Sequence, residues 1–504
     1  MNLPQKVAAN TLMLVVSRFV VAGSGLAGVA VATRYLGPDD FGQLTVALVF
    51  VSVLGFFSEA GLYTVVGREL AKRPDEQHRL LTNAFTIGLI MSAGAIGLAG
   101  LSIMFVYGGP GDELTRLGIA IVSVPMLAAP LGGITAAYLL ANQRAAPTAV
   151  ALVVSSVAFV AGLFIVIELD LGFGGLAACF AVSGLIPLLL PFFLTRGLPV
   201  ELAHDRGIWR ELVGWALPQA GVLVLGVIYF RLDTFLLSFL SSDAEVGRYG
   251  VAYRVLEVLM LVPIYFMSTL FPEIARQRPR SDRLNEIVQG AFSTVALAVM
   301  PLVILVAVFA EEIVAVAGGR DYLDAAPVLR VLVVAVALLF FNTVLFQTLV
   351  ALNRQRNLFF LLLIVLVGNV ALNIALIPSL GGMGAALALV ATEAAALILS
   401  LRLFASVGTV PGLRRPLRLG GAAALTAIAA IALGETFPLA RPDETLGASF
   451  SAALPALATL TVGALVTFGV WTAGLVLFRA VPSGVSSALA ALRRQPARDR
   501  PELV

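Results

Sequence analysis

Two charged residues lie within a long apolar stretch of this 504-residue sequence, in the segment YFRLDTFLL at 229–237. Apart from Arg231 and Asp233, no charged residue occurs between Glu211 and Asp243. Ionisable side chains are costly in hydrocarbon and by default mark a functional site there. A guanidinium offers paired donors to phosphate oxygens, and carboxylates within membranes serve in proton relays and ion pathways. If this stretch crosses a membrane, Arg231 and Asp233 are candidate functional residues.

The composition predicts that the stretch does cross a membrane. Only 12% of the residues are charged and the mean hydropathy is +0.98, whereas soluble domains carry about 25% charged residues. Apolar runs of about 20 residues recur along the chain, and each is long enough to cross ~30 Å of hydrocarbon. The sequence therefore predicts an all-α polytopic membrane protein. A β-barrel would need short alternating segments instead.

Polar breaks divide the apolar runs into about 14 predicted transmembrane helices. Their spans are 11–33, 41–63, 80–107, 117–140, 148–168, 174–194, 213–238, 249–272, 290–310, 328–351, 358–378, 383–403, 420–440 and 455–478. If the N-terminus is cytoplasmic, that side holds 24 of the 33 lysines and arginines and the opposite side holds 5. The positive-inside rule therefore predicts a multi-pass protein of the cell membrane with both termini in the cytoplasm.

Three pairs of short motifs indicate an internal repeat. LGPDDFGQL after helix 1 resembles LSSDAEVGRY after helix 7, with Gly42 matching Gly247 at an offset of 205 residues. GFGGLAA resembles GGMGAAL, with Gly175 matching Gly384 at an offset of 209 residues. LANQRAA resembles ALNRQRN at an offset of about 210 residues. The nearly constant offset indicates that six helices are duplicated in one orientation.

The repeat predicts three parts of the chain. They are an N-lobe of helices 1 to 6 at 1–212, a C-lobe of helices 7 to 12 at 213–410, and helices 13 and 14 with a basic cytoplasmic tail at 411–504. Two lobes of this kind normally meet over a cavity near the membrane midplane and rock about it to give alternating access. The repeat therefore favours a transporter over an enzyme.

Five segments resemble the polysaccharide-biosynthesis flippases of the MOP exporter superfamily, the Wzx-type transporters of lipid-linked oligosaccharides. The segments are RYLGPDDFG (34–42), GLYTVVGREL (61–70), RLDTFLLSFL (231–240), VGRYGVAYR (246–254) and LFPEIAR (270–276). The resemblance covers roughly residues 1–405 and implies a MATE/MOP-like fold. It also implies that a polyprenyl-diphosphate-linked oligosaccharide moves from the cytoplasmic to the outer leaflet for the biosynthesis of cell-surface lipopolysaccharide or exopolysaccharide. Membrane lipid, polysaccharide polymerase and glycosyltransferases are the partners that it suggests.

Seven charged residues within the predicted helices are candidate site residues, and in the resembling family helices 1, 2, 7 and 8 line the central cavity. The seven are Arg18, Glu59, Arg231, Asp233, Arg254, Glu257 and Glu393, of which only the last lies outside those four helices. A diphosphate in a low-dielectric region needs compensating positive charge. The three arginines are therefore predicted to bind the diphosphate in the cavity.

The same charges also have a structural interpretation, as ion pairs that fix helix packing. Arg254 and Glu257 are three residues apart and share a helix face, so they can pair locally. Arg231 and Asp233 point about 200° away from each other on a regular helix, so at least one needs another partner. In the cavity interpretation, Asp233 keeps the surroundings of Arg231 near neutral.

The four carboxylates have a further interpretation, as proton or sodium sites that couple transport to a gradient. They are Glu59, Asp233, Glu257 and Glu393. Asn369 and Asn373 are four residues apart on helix 11. For this pair, hydrogen bonding between helices is favoured over contact with the cargo.

Other function classes are disfavoured by the sequence. Cys179 is the one cysteine, and His78 and His204 lie in separate polar loops, so neither a disulfide nor a metal site is expected. The predicted outer loops are short, which disfavours a membrane polysaccharide polymerase or ligase. The basic residues lie in short loops between helices, which does not favour nucleic acid as a partner. A lipid II flippase and a drug or metabolite exporter of the same superfamily stay open as alternatives, and no cofactor is predicted.

The predicted orientation can be tested by cysteine labelling of intact cells. A reagent added outside should reach cysteines placed on the predicted outer side, near Gly109, Gly319 and Asp443. It should miss cysteines placed on the predicted cytoplasmic side, at Asp75, Arg206 and Arg280. Labelling of the second set in intact cells would overturn the orientation.

Overall fold

The fold is known from a computed structural model, which describes residues 3–59, 61–412, 422–432 and 446–477. These residues form helices joined by short turns, without any strand in the described ranges. The helices are α1 (Leu3–Glu59), α2 (Leu62–Lys72), α3 (Gln77–Phe105), α4 (Glu113–Val122), α5 (Ala129–Ala141), α6 (Ala146–Glu168), α7 (Gly172–Thr195), α8 (Arg206–Leu240), α9 (Asp243–Ala275), α10 (Asp282–Val308), α11 (Ala310–Ala317), α12 (Ala325–Ala351), α13 (Gln355–Phe404), α14 (Ala422–Ala432) and α15 (Leu446–Leu477). The predicted all-α fold class is confirmed.

Among the described residues, eight helices are long and apolar enough to cross a membrane. The number is nine if α4 and α5, which are bent by 43° about the short 3₁₀ turn Val124–Leu127, count as one span. α1 has 57 residues and α13 has 50, and each consists of two helices joined at a glycine. An unbroken helix of that length would be about 75–85 Å long, far more than the ~30 Å of hydrocarbon. A multi-pass membrane protein is confirmed, and the count of 14 helices stays a prediction.

The break in α1 lies where the sequence predicts the boundary between the first two helices. Gly37 has φ 77° and ψ 177°, a conformation that is open to glycine and strained for residues with a side chain. Pro38 follows, and its fixed φ suits the first turn of a helix. Asp39 and Asp40 come next and place negative charge at the positive end of the helix dipole. Local sequence therefore determines this boundary.

The backbone carries further signs of the internal repeat. Gly172 and Gly381 both have positive φ, 61° and 55°, and they are 209 residues apart. Gln143 and Asn353 also have positive φ, 52° and 59°, and they are 210 residues apart. Positive φ is uncommon in residues other than glycine. Its recurrence at the offsets of the matching motifs supports the duplication.

Two segments that the sequence predicts as loops contain helices. Residues 64–79 were expected as a cytoplasmic loop, yet α2 and a 3₁₀ turn, Pro74–Glu76, occupy most of them. α2 buries Leu62, Val66 and Leu70 and exposes Arg68 and Lys72. The prediction was wrong because an amphipathic helix this short and this polar gives no transmembrane signal. The predicted outer loop at 311–327 likewise contains most of α11.

The chain forms two compact units. The first unit comprises Met1–Val251, Ala317–Tyr322 and Asn373–Ala385, and the second comprises Ala252–Val316, Leu323–Leu372 and Ala386–Val504. In the first unit, α2 packs with α3, α5 and α8 around a core that includes Leu62, Leu81, Ile134 and Leu212. In the second unit, α10 packs with α12 and α15 around a core formed by Ala296, Ala422, Trp471 and Leu475. The predicted boundaries at 212 and 410 stay a prediction.

A buried amide attaches the start of α8 to α3 in the first unit. The Asn83 Oδ1 atom accepts hydrogen bonds from the backbone N–H of Asp205 at 2.8 Å and from Trp209 Nε1 at 3.0 Å. Its Nδ2 donates to the backbone oxygen of Arg79 at 2.8 Å. Asp205 caps α8 by accepting from Gly207 N at 2.9 Å. Arg79 donates to the Asp205 carboxylate and thereby holds the pKa of that carboxyl below its usual range.

Loss of this amide should destabilise the attachment. The substitution Asn83→Leu removes one acceptor from two N–H groups, and an unsatisfied buried donor costs about 1–3 kcal/mol. We expect a lower melting temperature in detergent than for the wild type. Asn142→Ala is the matched control, because the exposed Asn142 amide donates only within its own turn, to the Tyr138 oxygen at 2.9 Å. Equal melting temperatures for the two variants would show that the Asn83 contacts do not stabilise the fold.

Candidate functional site

Two carboxylates are buried within long apolar helices, and each is hydrogen-bonded by an asparagine. Asp233 on α8 and Glu393 on α13 are both 1% exposed. A carboxylate in such surroundings pays a large desolvation cost unless donors satisfy it. The partners of these two residues therefore decide what each carboxylate can do.

Asp233 lies in the first unit, where α8, α9 and α13 supply its surroundings. The Asn373 Nδ2 atom donates to one carboxylate oxygen at 2.9 Å, and the Tyr249 hydroxyl donates to the other at 3.3 Å. Both partners are themselves buried. The prediction that Asn373 hydrogen-bonds between helices is confirmed. Because both donors are neutral amide and phenol groups, they satisfy oxygen lone pairs without adding charge.

Glu393 lies in the second unit in a chain of polar side chains between α12 and α13. Asn342 Nδ2 donates to the Glu393 carboxylate at 2.7 Å and to the Glu393 backbone oxygen at 3.0 Å. The Ser400 hydroxyl donates to Asn342 Oδ1 at 3.4 Å. Nearby in the sequence, Asn369 Nδ2 donates to the Thr392 hydroxyl at 3.2 Å across the break in α13. The prediction of a hydrogen-bonding role for Asn369 is confirmed too.

The predicted local pair of Arg254 and Glu257 is present on α9, in the second unit. Nη1 of Arg254 lies 2.7 Å from the Glu257 carboxylate, and the two side chains are 33% and 23% exposed. The Nε atom of Arg254 is buried, and no acceptor among the described residues lies within hydrogen-bond distance of it. Arginine has five N–H donors in a planar fork. The pair with Glu257 therefore leaves donor capacity on this guanidinium for another acceptor.

The remaining predicted site residues are Arg18, Arg231 and Glu59. Arg18 is exposed on the first segment of α1, and Arg231 is half-buried on α8. Glu59 was expected inside the second helix but is the last residue of α1, since the helix ends before Gly61, and its side chain lies outside the described ones. The predicted convergence of Arg18, Arg231 and Arg254 on one cavity stays a prediction.

Four residues of these networks, Tyr249, Asn342, Thr392 and Ser400, were not predicted from the sequence. Tyr249, Asn342 and Ser400 are polar groups in apolar runs. Hydrogen bonding between helices is expected for Asn342 for the same reason as for Asn369. Tyr249 carries no such signal, since tyrosine is common in membrane helices. The role of Tyr249 depends on which helix faces its side chain in the fold. No cluster of three or more potential metal ligands of the His, Cys, Asp and Glu types occurs in the part of the chain that the structure describes.

A charged cleft lies where α2, α3 and α8 meet in the first unit. Its volume is about 440 Å³, and its charged lining consists of Arg73, Glu76, Arg79, Arg210 and Glu211. Arg73 pairs with Glu211 at 2.5 Å, and its guanidinium carbon also lies 5.7 Å from the centre of the Trp215 ring. Since the acids compensate most of the arginine charge, the arrangement is suited to holding helices together rather than to binding an anion.

Known proteins with similar sequences include a glycan biosynthesis flippase and a succinoglycan biosynthesis transport protein, by their names. The chain is 23% identical over 403 residues to a protein of Haloferax volcanii named "Probable low-salt glycan biosynthesis flippase Agl15", a match that covers 76% of this chain and 80% of that protein. It is 23% identical over 336 residues to the "Succinoglycan biosynthesis transport protein ExoT" of Rhizobium meliloti, covering 66% and 67%. Both are named as transport proteins, in agreement with the prediction that this chain is not an enzyme.

Solved structures share the fold at low sequence identity. The lipid II flippase MurJ in an inward closed conformation superposes with a TM-score of 0.70 at 15% identity, covering 90% of this chain and 98% of that one. An inward-facing multidrug MATE transporter of the MOP superfamily gives a TM-score of 0.63 at 14% identity, covering 76% and 95%. The predicted MATE/MOP-like fold is confirmed.

A family model described as "Polysaccharide biosynthesis protein" matches residues 31–327. That range is more than half of the 504 residues and contains all five segments on which the resemblance rests. It also contains Arg231, Asp233, Arg254 and Glu257. The chain therefore belongs to the polysaccharide biosynthesis protein family.

Proposed function

We propose that this chain is a flippase that moves polyprenyl-diphosphate-linked oligosaccharide units from the cytoplasmic to the outer leaflet of the cell membrane, by alternating access. Family membership and the names of the relatives support transport of a lipid-linked glycan. The charge distribution of the loops supports the orientation, with both termini in the cytoplasm. The exported units would serve the polymerase and glycosyltransferases that assemble a cell-surface polysaccharide.

The assignment of an anionic cargo rests on the state of the Arg254 guanidinium. It lies on a long apolar helix, is partly exposed, and keeps a buried Nε–H that has no acceptor among the described residues. A buried donor without a partner costs about 1–3 kcal/mol. A phosphate oxygen would satisfy it, because guanidinium and phosphate form paired, charge-assisted hydrogen bonds. Arg254 would therefore bind the diphosphate of the cargo while Glu257 orients the guanidinium.

Arg18 and Arg231 complete the proposed set of cargo-binding arginines. Arg18 is exposed and Arg231 is half-buried, so both remain accessible in part to a ligand. Several arginines along a path let one anion pass from one cationic partner to the next, and binding that is spread over several sites avoids a single deep trap. Arginine suits this role better than lysine because its planar fork matches two phosphate oxygens at once.

Asp233 is the proposed residue that couples transport to an ion gradient. A carboxylate that accepts hydrogen bonds from an amide and a phenol is able to take up a proton, or to share its oxygens with a cation that displaces one donor. Its neighbours come from α9 and α13, so a change at Asp233 is transmitted to two other helices. Glu393, which Asn342 holds in the second unit, is a second carboxylate of the same chemistry. Glu59 and Glu257 remain in the proposal as lesser candidates.

Substitution of the arginines tests the cargo assignment. In cells that depend on this chain for surface polysaccharide, Arg254→Ala and Arg231→Ala should each accumulate normally and lose most export. Hydrogen bonds to a charged group contribute about 1.5–3 kcal/mol, which corresponds to about a 10- to 100-fold loss. Lysine at either position keeps the charge without the fork and should retain part of the export. Both export and the melting temperature in detergent should be measured.

Two control variants separate binding from structural pairing. Arg330→Ala removes another intramembrane arginine, whose Nη2 pairs with Glu311 at 2.9 Å, and should leave export unchanged. Glu257→Gln frees Arg254 from its pair and, if Arg254 binds the cargo, should retain more export than Arg254→Ala. The structural interpretation expects Arg254→Ala and Glu257→Gln to be equally unstable, with recovery in the double variant. Stable Arg254→Ala and Arg231→Ala proteins that export normally would contradict the cargo role.

The coupling role of Asp233 has its own test. Asp233→Asn keeps the size of the side chain and one acceptor oxygen but removes the charge. In proteoliposomes with an imposed proton or sodium gradient, the wild type should move a polyprenyl-diphosphate-linked sugar faster than without the gradient, and Asp233→Asn should lose that stimulation. Asn373→Ala should weaken it, because the carboxylate then lacks the amide that donates to it at 2.9 Å. Undiminished stimulation in Asp233→Asn would assign coupling to another residue, with Glu393→Gln as the next variant.

A further inference from the structure

The two glycines that match in the internal repeat lie against each other's helix starts. Gly42, near the beginning of the second segment of α1, contacts the backbone carbonyl of Asp243, the first residue of α9. Gly247, on α9, contacts the backbone carbonyl of Pro38 and lies near the backbone nitrogen of Gly42. A Cβ atom at either glycine would overlap these backbone atoms. The contact lies entirely within the first unit.

The same reciprocity continues one turn further along both helices. Thr45 lies three residues after Gly42, and Gly250 lies three residues after Gly247. A Cβ atom on Gly250 would lie 3.1 Å from Cγ2 of Thr45. Thr45 and Gly250 are also separated by the 205-residue offset of the repeat. Equivalent faces of two equivalent helices therefore pack closely against each other, with the ring of Phe41 also beside Gly250.

Aromatic side chains from α1, from α8 and from the turn after α3 contact each other in the first unit, and we call them the aromatic layer. The Phe50 ring on α1 lies 6.1 Å from the Phe235 ring on α8 and 5.8 Å from the ring of Tyr107, which follows α3. The Phe239 ring stacks on the ring of Tyr107 at 6.0 Å. These residues all belong to the first unit. The glycine contact thus joins α1 to α9, and the aromatic contacts join α1 to α8 and to the segment after α3.

We propose that the contact of Gly42 and Gly247 with the opposite helix starts is the closed outer gate of the transport path. The inference rests on the proposed function, because alternating access requires the end of the path that faces outward to open and close. A backbone contact made through glycines suits a gate, because neither glycine has a side chain that must be displaced when the helix starts separate. Its position at repeat-equivalent residues allows both helix starts to move apart in the same way.

A disulfide across the gate provides the first test. In a cysteine-free background made with Cys179→Ala, we would introduce Thr45→Cys and Gly250→Cys, whose Cβ atoms fall near the ~3.5–4.5 Å that a disulfide needs. Oxidation should join them, stop export and leave the protein stable, and reduction should restore export. The single variants should show neither the bond nor the loss. An oxidised pair that exports as fast as the reduced pair would overturn the gate.

Labelling from outside provides the second test, which does not depend on the cargo. The reporter is Phe50→Cys in the same background, read with a membrane-impermeant maleimide. Gly42→Ala should raise its labelling rate because the added Cβ keeps the gate apart. Gly97→Ala is the matched control, since a Cβ there meets nothing within 4 Å, and it should leave the rate unchanged. Equal labelling in the two variants, with both proteins stable, would overturn the proposal.

The two tests separate the gate from the proposed function. Increased labelling in Gly42→Ala supports the gate even if the wild type proves to carry another cargo. If Gly42→Ala fails to accumulate, Gly247→Ala replaces it against the same control, and the cysteine pair decides if both glycine variants fail. A wild type that exports the lipid-linked sugar while labelling and cross-linking have no effect would leave the function intact and remove the gate.

Discussion

The hydrocarbon core of a membrane supplies no hydrogen-bond partner, and this constraint governs most of the structure. Every backbone N–H and carbonyl within the core needs a partner in the protein, so the described spans are helices. The same constraint applies to side chains. Asp233 and Glu393 are tolerated because Asn373, Tyr249 and Asn342 donate to them. These polar groups are consequently fixed in place by their partners, whereas an equivalent group in water would move freely.

The acids Asp233 and Glu393 and the arginine Arg254 have different kinds of hydrogen-bond partners. Asp233 and Glu393 accept hydrogen bonds from the neutral side chains of Asn373, Tyr249 and Asn342. Arg254 pairs with an acid, and its Nε–H has no hydrogen-bond partner among the described residues. A protonated carboxyl group keeps lone pairs that can accept from such neutral donors, which suits a group that exchanges an ion. A guanidinium stays charged at any physiological pH. Its contribution to transport therefore depends on the binding and release of an anion. The proposed coupling and cargo roles follow from this difference.

Glycine has two separate uses in the fold. At Gly37 and Gly381 it permits positive φ and divides a long apolar run into two helices. At Gly42, Gly247 and Gly133 it permits close approach, the last to the ring of Tyr63 within the core around α2. Close approach to an aromatic ring embeds the contact among many side chains and favours a permanent core. Close approach to backbone atoms at a helix start has fewer contacts to break, and the gate is proposed there.

Hydropathy and turn residues already indicated the helices and the break at Gly37, because these depend on residues that are neighbours along the chain, and loop charge predicts an orientation. The repeat and the family resemblance were also visible in short motifs, and the family match and the superposition with MurJ agree with them. The helix α2 was not predicted, since its amphipathic face has meaning only against the core that α3, α5 and α8 provide. The partners of the buried acids were equally hidden: Asp233 and Asn373 are 140 residues apart, and Tyr249 gives no signal by itself. Sequence thus determined which segments enter the membrane and which residues are costly there. Tertiary structure decided how that cost is met, because a hydrogen bond between helices depends on which faces meet and not on the composition of either helix.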